Sequence, residues 1–287
     1  MSYWQILILA IIQGLTELLP VSSSAHVILA ERLMNLDPAS PECTFLLVML
    51  HTGTMFAVLV YFWPRWRPLL ANSQAEGGRF HFPWMVVLAT ACTGVLGLGL
   101  KVLIETVILE GLLGHEKGEV EQLFKSLPLI GTALLAVGVF ILAAAAWETR
   151  IPAKGLTAIS AVWIGFVQGL CLPFRGFSRS GATISTALLR GVPRGLAEDF
   201  SFALAVVLTP PVIVQQLHRL LKARSDTAAL LDLLLPGLVG MVSSFAAGLV
   251  ALRLLSALLE GGLWKYFGYY CIGAAAVVYV ATFGFGL

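Results

Sequence analysis

The stretch Gln13-Gly14-Leu15-Thr16-Glu17-Leu18-Leu19-Pro20-Val21-Ser22-Ser23-Ser24-Ala25-His26 decides how this chain folds, because it sets polar, ionisable and helix-breaking residues inside an otherwise apolar run. A second stretch repeats the pattern: Val167-Gln168-Gly169-Leu170 leads to Pro173 and then to Ser178-Arg179-Ser180-Gly181-Ala182-Thr183. The two glutamines stand a little over half the chain apart. In hydrocarbon an unsatisfied polar group costs several kcal/mol, so polar residues embedded in apolar sequence are expected to line a site.

Composition identifies the solvent. The 287 residues are 58% hydrophobic and 12% charged, with a mean hydropathy of +0.89, whereas soluble domains are about 25% charged. This is the composition of an all-α polytopic membrane protein. A net charge of +2, with the basic residues spread over short connections, gives no patch for nucleic acid. Cys43, Cys92, Cys171 and Cys271 are scattered in apolar segments without metal-ligand spacing and read as small core residues. The apolar start carries Glu17 and lacks a small-residue cleavage site, so it is expected to be mature protein.

Six segments are long enough to span a bilayer, which takes about 20 residues: 43–62, 83–104, 128–147, 195–217, 231–258 and 264–286. The pieces 3–19 and 156–172 stop at Pro20 and Pro173, and short helical stretches, 22–34 and 180–190, follow them. A helix broken by proline frees backbone groups that lipid cannot satisfy. These pieces therefore predict two re-entrant helical hairpins meeting inside the bundle. One hairpin plus three spans per half turns the second half upside down, giving a single transmembrane domain of two inverted repeats, about 1–150 and 151–287.

The Lys/Arg distribution sets an expected orientation. Arg65, Arg67 and Arg79 in the 63–82 connection, and Arg150 and Lys154 in 148–155, predict cytoplasmic loops. Glu105, Glu110, Glu116, Glu119 and Glu121 in 105–125 predict an outer one. Both termini then lie outside, although Arg219, Lys222 and Arg224 would fall outside as well.

Gln13 and Glu17, at i and i+4, share a helical face, and Ser23 and His26, at i and i+3, share the next. Carboxylate, amide, hydroxyl and imidazole can thus converge beside the free N–H groups that open the 22–34 helix, a set suited to phosphate. Helix capping accounts equally well for Ser22 or Ser23. In the second stretch Arg179 offers a planar fork of donors, Ser178, Ser180 and Thr183 add hydroxyls, and Gly181 allows close backbone approach. Arg175 either adds charge to this cradle or extends toward the interface.

The first stretch, from Gln13 to His26, resembles the signature of the bacterial undecaprenyl-diphosphate phosphatases, the bacitracin-resistance family. Gly176-Phe177-Ser178-Arg179-Ser180-Gly181-Ala182-Thr183 is similar to the family's second signature, and Leu50-His51-Thr52-Gly53-Thr54 and Phe200-Ser201-Phe202-Ala203-Leu204 look like further family segments. Gln13 stands where many members have glutamate, and Pro173-Phe174-Arg175-Gly176 replaces an adjacent Pro-Gly. The resemblance implies hydrolysis of undecaprenyl diphosphate to undecaprenyl phosphate and phosphate, recycling the lipid carrier for cell-wall synthesis and conferring bacitracin resistance. It also implies a bacterial inner-membrane location and a site opening to the periplasm. A divalent cation, Ca2+ or Mg2+, held by Glu17 and Gln13, and a homodimer go with it. It makes Glu17, Ser23, His26 and Arg179 the expected catalytic residues, and Gln13, Ser22, Ser178, Ser180, Gly181, Thr183 and Arg175 the expected substrate-binding ones.

The residues fit that chemistry on their own terms, since a diphosphate calls for cations aimed at its oxygens and the apolar walls suit a prenyl tail. Attack by Ser23 with His26 as base, attack by His26 itself, and a water activated by Glu17 and His26 all remain open. A secondary transporter or lipid flippase shares the inverted-repeat pattern. A phosphatidic acid phosphatase needs a second histidine about six residues after its Ser-Arg pair, and none follows Arg179 before His218.

Overall fold

The computed structural model describes residues 1–38, 40–71, 81–104, 126–223 and 227–285. Among these the α-helices run in order α1 (Tyr3–Leu18), α2 (Ser23–Leu33), α3 (Pro41–Ala71), α4 (His81–Val102), α5 (Leu127–Trp147), α6 (Ala158–Cys171), α7 (Arg179–Leu189), α8 (Arg194–Ala223), α9 (Thr227–Glu260) and α10 (Lys265–Phe285). The described residues contain no strand. Helices α3, α4, α5, α8, α9 and α10 are long and apolar enough to cross a membrane, and α1 and α6 are shorter apolar helices. Large apolar side chains such as Trp4, Val95 and Phe283 lie about three-quarters exposed (76%, 78% and 75%), which water would not tolerate across a whole surface and lipid does. The chain is a multi-pass, all-helical membrane protein.

Each expected span has its helix, and the long ones overrun their apolar cores. The first runs to Ala71 through Pro64 and Pro68, so Arg65 and Arg67, expected in a loop, are helical. Arg65 is held there by acids on α8: its Nη1 donates to Glu198 at 2.9 Å and its Nε lies 2.8 Å from Asp199. Partnered charge extends the helix beyond the point where hydropathy falls. Arg79, Arg224 and the acidic 105–125 connection lie outside the described residues.

Packing joins the two halves of the chain. Helix α1 lies on α9, α6 on α4, α3 on α8 and α9, and α5 on α10. Glycines permit the approach of both broken helices to their spans. A Cβ on Gly14 would sit 2.7 Å from the Ser244 carbonyl oxygen of α9, and one on Gly165 would sit 2.2 Å from that of Ala89 on α4. The core between the halves is largely aliphatic and includes an aromatic stack of Phe62 on Trp66 and on Phe202.

Both breaks expected from the prolines are present. Helix α1 ends at Leu18, Leu19 is extended as the residue before a proline prefers, and α2 begins at Ser23. Helix α6 ends at Cys171 and α7 begins at Arg179.

Candidate active site

The two breaks touch. The Ser180 hydroxyl lies 3.5 Å from the Leu19 carbonyl, the Cys271 thiol lies 3.3 Å from the Pro20 carbonyl, and a Cβ on Gly181 would meet the same Pro20 oxygen at 3.3 Å. The carbonyls freed where α1 stops thus find partners on the second break and on α10, as a buried break requires. Between the two breaks lies a polar cluster in an apolar surround.

Glu17 is its centre. Its Oε2 accepts from the Ser23 hydroxyl at 2.5 Å and from the Gln13 side-chain amide at 3.2 Å. Its Oε1 faces Nη2 of Arg179 at 3.8 Å. Gln13, 1% exposed, directs the same amide nitrogen at Nδ1 of His51 at 3.0 Å, and that ring nitrogen is 3.8 Å from Glu17. Two groups from the first break and one from the second therefore converge on one carboxylate, and a histidine from α3 joins them.

Sequence reasoning gave His51 no role at this centre. It sits in an apolar span with only the hydroxyls of Thr52 and Thr54 nearby, and its partner Gln13 belongs to another helix. The available signal was the cost of an imidazole in hydrocarbon, which asks for a partner.

His26 takes a different position from the one its spacing suggests. Its Nδ1 is 2.8 Å from the Ser22 carbonyl and its Nε2 is 2.8 Å from the Tyr270 hydroxyl on α10. Both ring nitrogens are engaged, neither by Ser23. Because a carbonyl can only accept, Nδ1 of a neutral ring carries the proton and Nε2 is left as the acceptor of the phenol. Ser22 adopts φ 68° and ψ 97°, a conformation costing a non-glycine residue about 1–3 kcal/mol. Its side chain makes no cap to α2, and its hydroxyl lies 3.4 Å from that of Ser24. The strained residue instead aims its carbonyl at His26.

Arg179 opens α7 and is the cation of the site. Its Nη1 is buried without a hydrogen-bond partner, so the fork has a donor left for an anion, and it lies at the positive end of a helix. The neighbouring hydroxyls are built into the fold. Ser178 caps α7 by accepting from the Gly181 amide at 3.2 Å and lies 3.4 Å from the Ser180 hydroxyl. Thr183, fully buried, pairs with Ser201 of α8 at 2.6 Å and donates to the Arg179 carbonyl at 2.9 Å. Packing thus gives the three hydroxyls expected to bind substrate structural partners. Arg175 is half-buried in the connection between α6 and α7.

Among the described residues no three His, Cys, Asp or Glu side chains gather as a metal cage. Gln13 presents the nitrogen side of its amide to Glu17, which makes it a donor to the carboxylate. The chain's contribution to a cation at this centre is thus a single carboxylate with a hydroxyl beside it. That donor set fits Mg2+, which keeps several waters and shares its coordination between one or two carboxylates and substrate phosphates.

A family model described as bacitracin resistance protein BacA matches residues 6–277. The chain is 54% identical to an undecaprenyl-diphosphatase 2 of Acinetobacter baylyi, with 97% of each chain covered. It is 33% identical to an undecaprenyl-diphosphatase of Desulfosudis oleivorans, covering 92% of this chain and 93% of the relative. It is 32% identical to an undecaprenyl-diphosphatase 2 of Burkholderia ambifaria, covering 99% and 98%.

Proposed function

The chain belongs to the bacitracin resistance protein BacA family, and from that premise we propose that it hydrolyses undecaprenyl diphosphate to undecaprenyl phosphate and inorganic phosphate. The observation that carries the reading from names to chemistry is the convergence of Ser23 and Arg179, from separate breaks, on the two oxygens of Glu17. A terminal phosphate beside Ser23 would meet the unspent guanidinium donor of Arg179 and the N-terminal amides of α2 and α7. Those groups counter the charge that builds on its oxygens as the anhydride breaks.

Ser23 already donates to Glu17, so the carboxylate stands where it can take the hydroxyl proton. Attack of the Ser23 oxygen on the terminal phosphorus breaks the bond to the bridging oxygen and releases undecaprenyl phosphate. Water then cleaves the phosphoserine, returning the proton to Ser23 and freeing phosphate. His51 and Gln13 hold Glu17 in place for both steps. Glu17 would hold a divalent cation, whose Lewis acidity would help stabilise the leaving phosphate.

The pairing of α1 with α9 and of α6 with α4, each broken helix against a span of the other half, supports the inverted repeat. On that arrangement both breaks turn back inside the bilayer of the bacterial inner membrane, and the site opens to the periplasm. A transporter reading has no separate observation in its favour.

The test is phosphate release from undecaprenyl diphosphate by the purified protein in detergent, with and without chelator. Release that stops on chelation and returns with Mg2+ supports hydrolysis and the cation together. Release indifferent to chelation removes the cation, and movement of intact lipid across vesicles without release removes the hydrolase.

A further inference from the structure

Where His26 leaves the Glu17 cluster it enters a second environment. An open cavity of about 370 Å³ runs along α2, α5 and α10, and His26, Leu29, Leu134, Tyr270, Gly273 and Val277 are among the residues that line it. Every lining residue but His26 and Tyr270 is apolar, and those two are joined by the hydrogen bond between Nε2 and the phenol. The cavity's polar end is thus the imidazole three residues after Ser23, on the same helix face, and its other end is hydrocarbon. The cavity is unobstructed at Gly273, where an added Cβ would meet nothing within 4 Å. On α10 beside it Tyr270 is 49% and Val277 58% exposed, so the groove is open on its lipid side.

We propose that this groove holds the first isoprene units of the substrate's prenyl tail, with Tyr270 and His26 marking the junction between tail and diphosphate. The inference rests on the hydrolase reading and adds the place where the tail lies. A lipid whose head must reach Glu17 and Arg179 while its chain stays in the bilayer needs an apolar path that starts beside the head-group site and opens sideways. The α2/α5/α10 groove has its polar end one helical turn from Ser23 and its open side toward the membrane. Lipid is as apolar as the groove's lining, so what the groove adds is close packing of the first isoprene units and a fixed approach of the diphosphate to Glu17 and Arg179. The apolar lining offers nothing to a phospholipid head group, and the site at its end suits a phosphate on a bare chain.

The experiment uses Gly273→Phe in the purified full-length protein. The added ring enters open space on a lipid-facing helix and replaces a glycine with a better helix former, so the variant should purify as wild type does. We expect the KM for undecaprenyl diphosphate to rise tenfold or more while kcat stays within about twofold. That split follows when binding shared by ground and transition states is lost. In parallel, a benzophenone-tagged prenyl diphosphate should label α10 peptides around Gly273 and Val277. Excess undecaprenyl diphosphate should abolish that labelling and phosphatidylglycerol should not.

An unchanged KM in Gly273→Phe, or labelling confined to other helices, overturns the groove. Equal competition by phosphatidylglycerol makes it an ordinary lipid contact, which also overturns the proposal. Failure of the hydrolase reading looks different: wild type then releases no phosphate, although the photolabel still reports where a prenyl diphosphate binds.

Discussion

In the first break Gln13 spends its amide on Glu17 and His51, whereas Gln168, the matching residue of the second, donates to Thr93 of α4 at 2.9 Å. The carboxylate oxygen partnered by one glutamine has no counterpart at the other. Four residues after Gln168 stands Leu172, 53% exposed, where the first break has Glu17. The serine runs differ in the same way. The first holds at its middle, Ser23, the hydroxyl that meets Glu17, and the second carries Arg179 at the opening of α7. Two breaks of like sequence thus contribute different groups to the cluster, one acid and hydroxyl, the other the cation. What they retain in common is the glycine after each glutamine and its tight packing against a span of the other half. The shared pattern packs each broken helix on its span, and the unshared positions build the polar cluster.

The contrast can be broken most forcefully at the paired positions. Glu17→Ala should lower kcat/KM by about a thousandfold, the range of a lost general base, while Leu172→Ala stays within twofold. Radiolabelled phosphate release from the two variants measures both. Retention of more than about a tenth of wild-type activity in Glu17→Ala, a loss below 1.4 kcal/mol, would remove the acid from the centre.

Arg179→Lys should fall nearly as far as Arg179→Ala, on the order of a hundredfold, because an ammonium keeps the charge and loses the fork. Arg175→Ala should be the milder change. Near-normal turnover in the lysine variant would reduce Arg179 to a background field, and an equal loss at Arg175 would move the clamp there.

The glutamines sharpen the comparison further. Gln13→Leu should cost about tenfold in activity, since it strips a donor from Glu17 and leaves His51 unpaired. Gln168→Leu should leave kcat/KM within twofold and appear instead as a small change in melting temperature. Its amide oxygen is buried without a partner already, so removing it offsets part of the lost bond to Thr93. Comparable activity losses in both variants would mean that the second break holds chemistry of its own.

The smallest loss expected among the contacts around the site is at Tyr270. Tyr270→Phe removes the hydrogen bond to His26 and should reduce activity by about two- to tenfold, the worth of one neutral hydrogen bond. A loss as large as that of Glu17→Ala would make the phenol part of the reaction.

The architecture was legible because hydrocarbon leaves few options. Six long apolar runs and two prolines placed inside apolar helices fixed the spans and the breaks to within a few residues, except where ion pairs such as Arg65 with Glu198 carried a helix past its apolar stretch. The approach of Glu17 to Ser23 was legible for the same reason, since polar residues flanking one break have only each other. Contacts made by side chains from distant helices were not legible. Nothing in the spacing of Ser23 and His26 shows that the ring turns to Tyr270, 244 positions away, and nothing local to α3 shows that His51 faces Gln13. Ser22 reads as a helix cap by residue type, while its positive φ is imposed by the turn that follows Pro20.

The most direct test of a site shared between the breaks is a double-mutant cycle in phosphate release, using Ser23→Ala, Arg179→Ala and the combined variant. If hydroxyl and guanidinium act on the same phosphate, the double variant should be about as slow as the slower single one, because removing either group disables the unit. If the two losses instead multiply, the two residues act independently, and a single centre assembled from both breaks is contradicted.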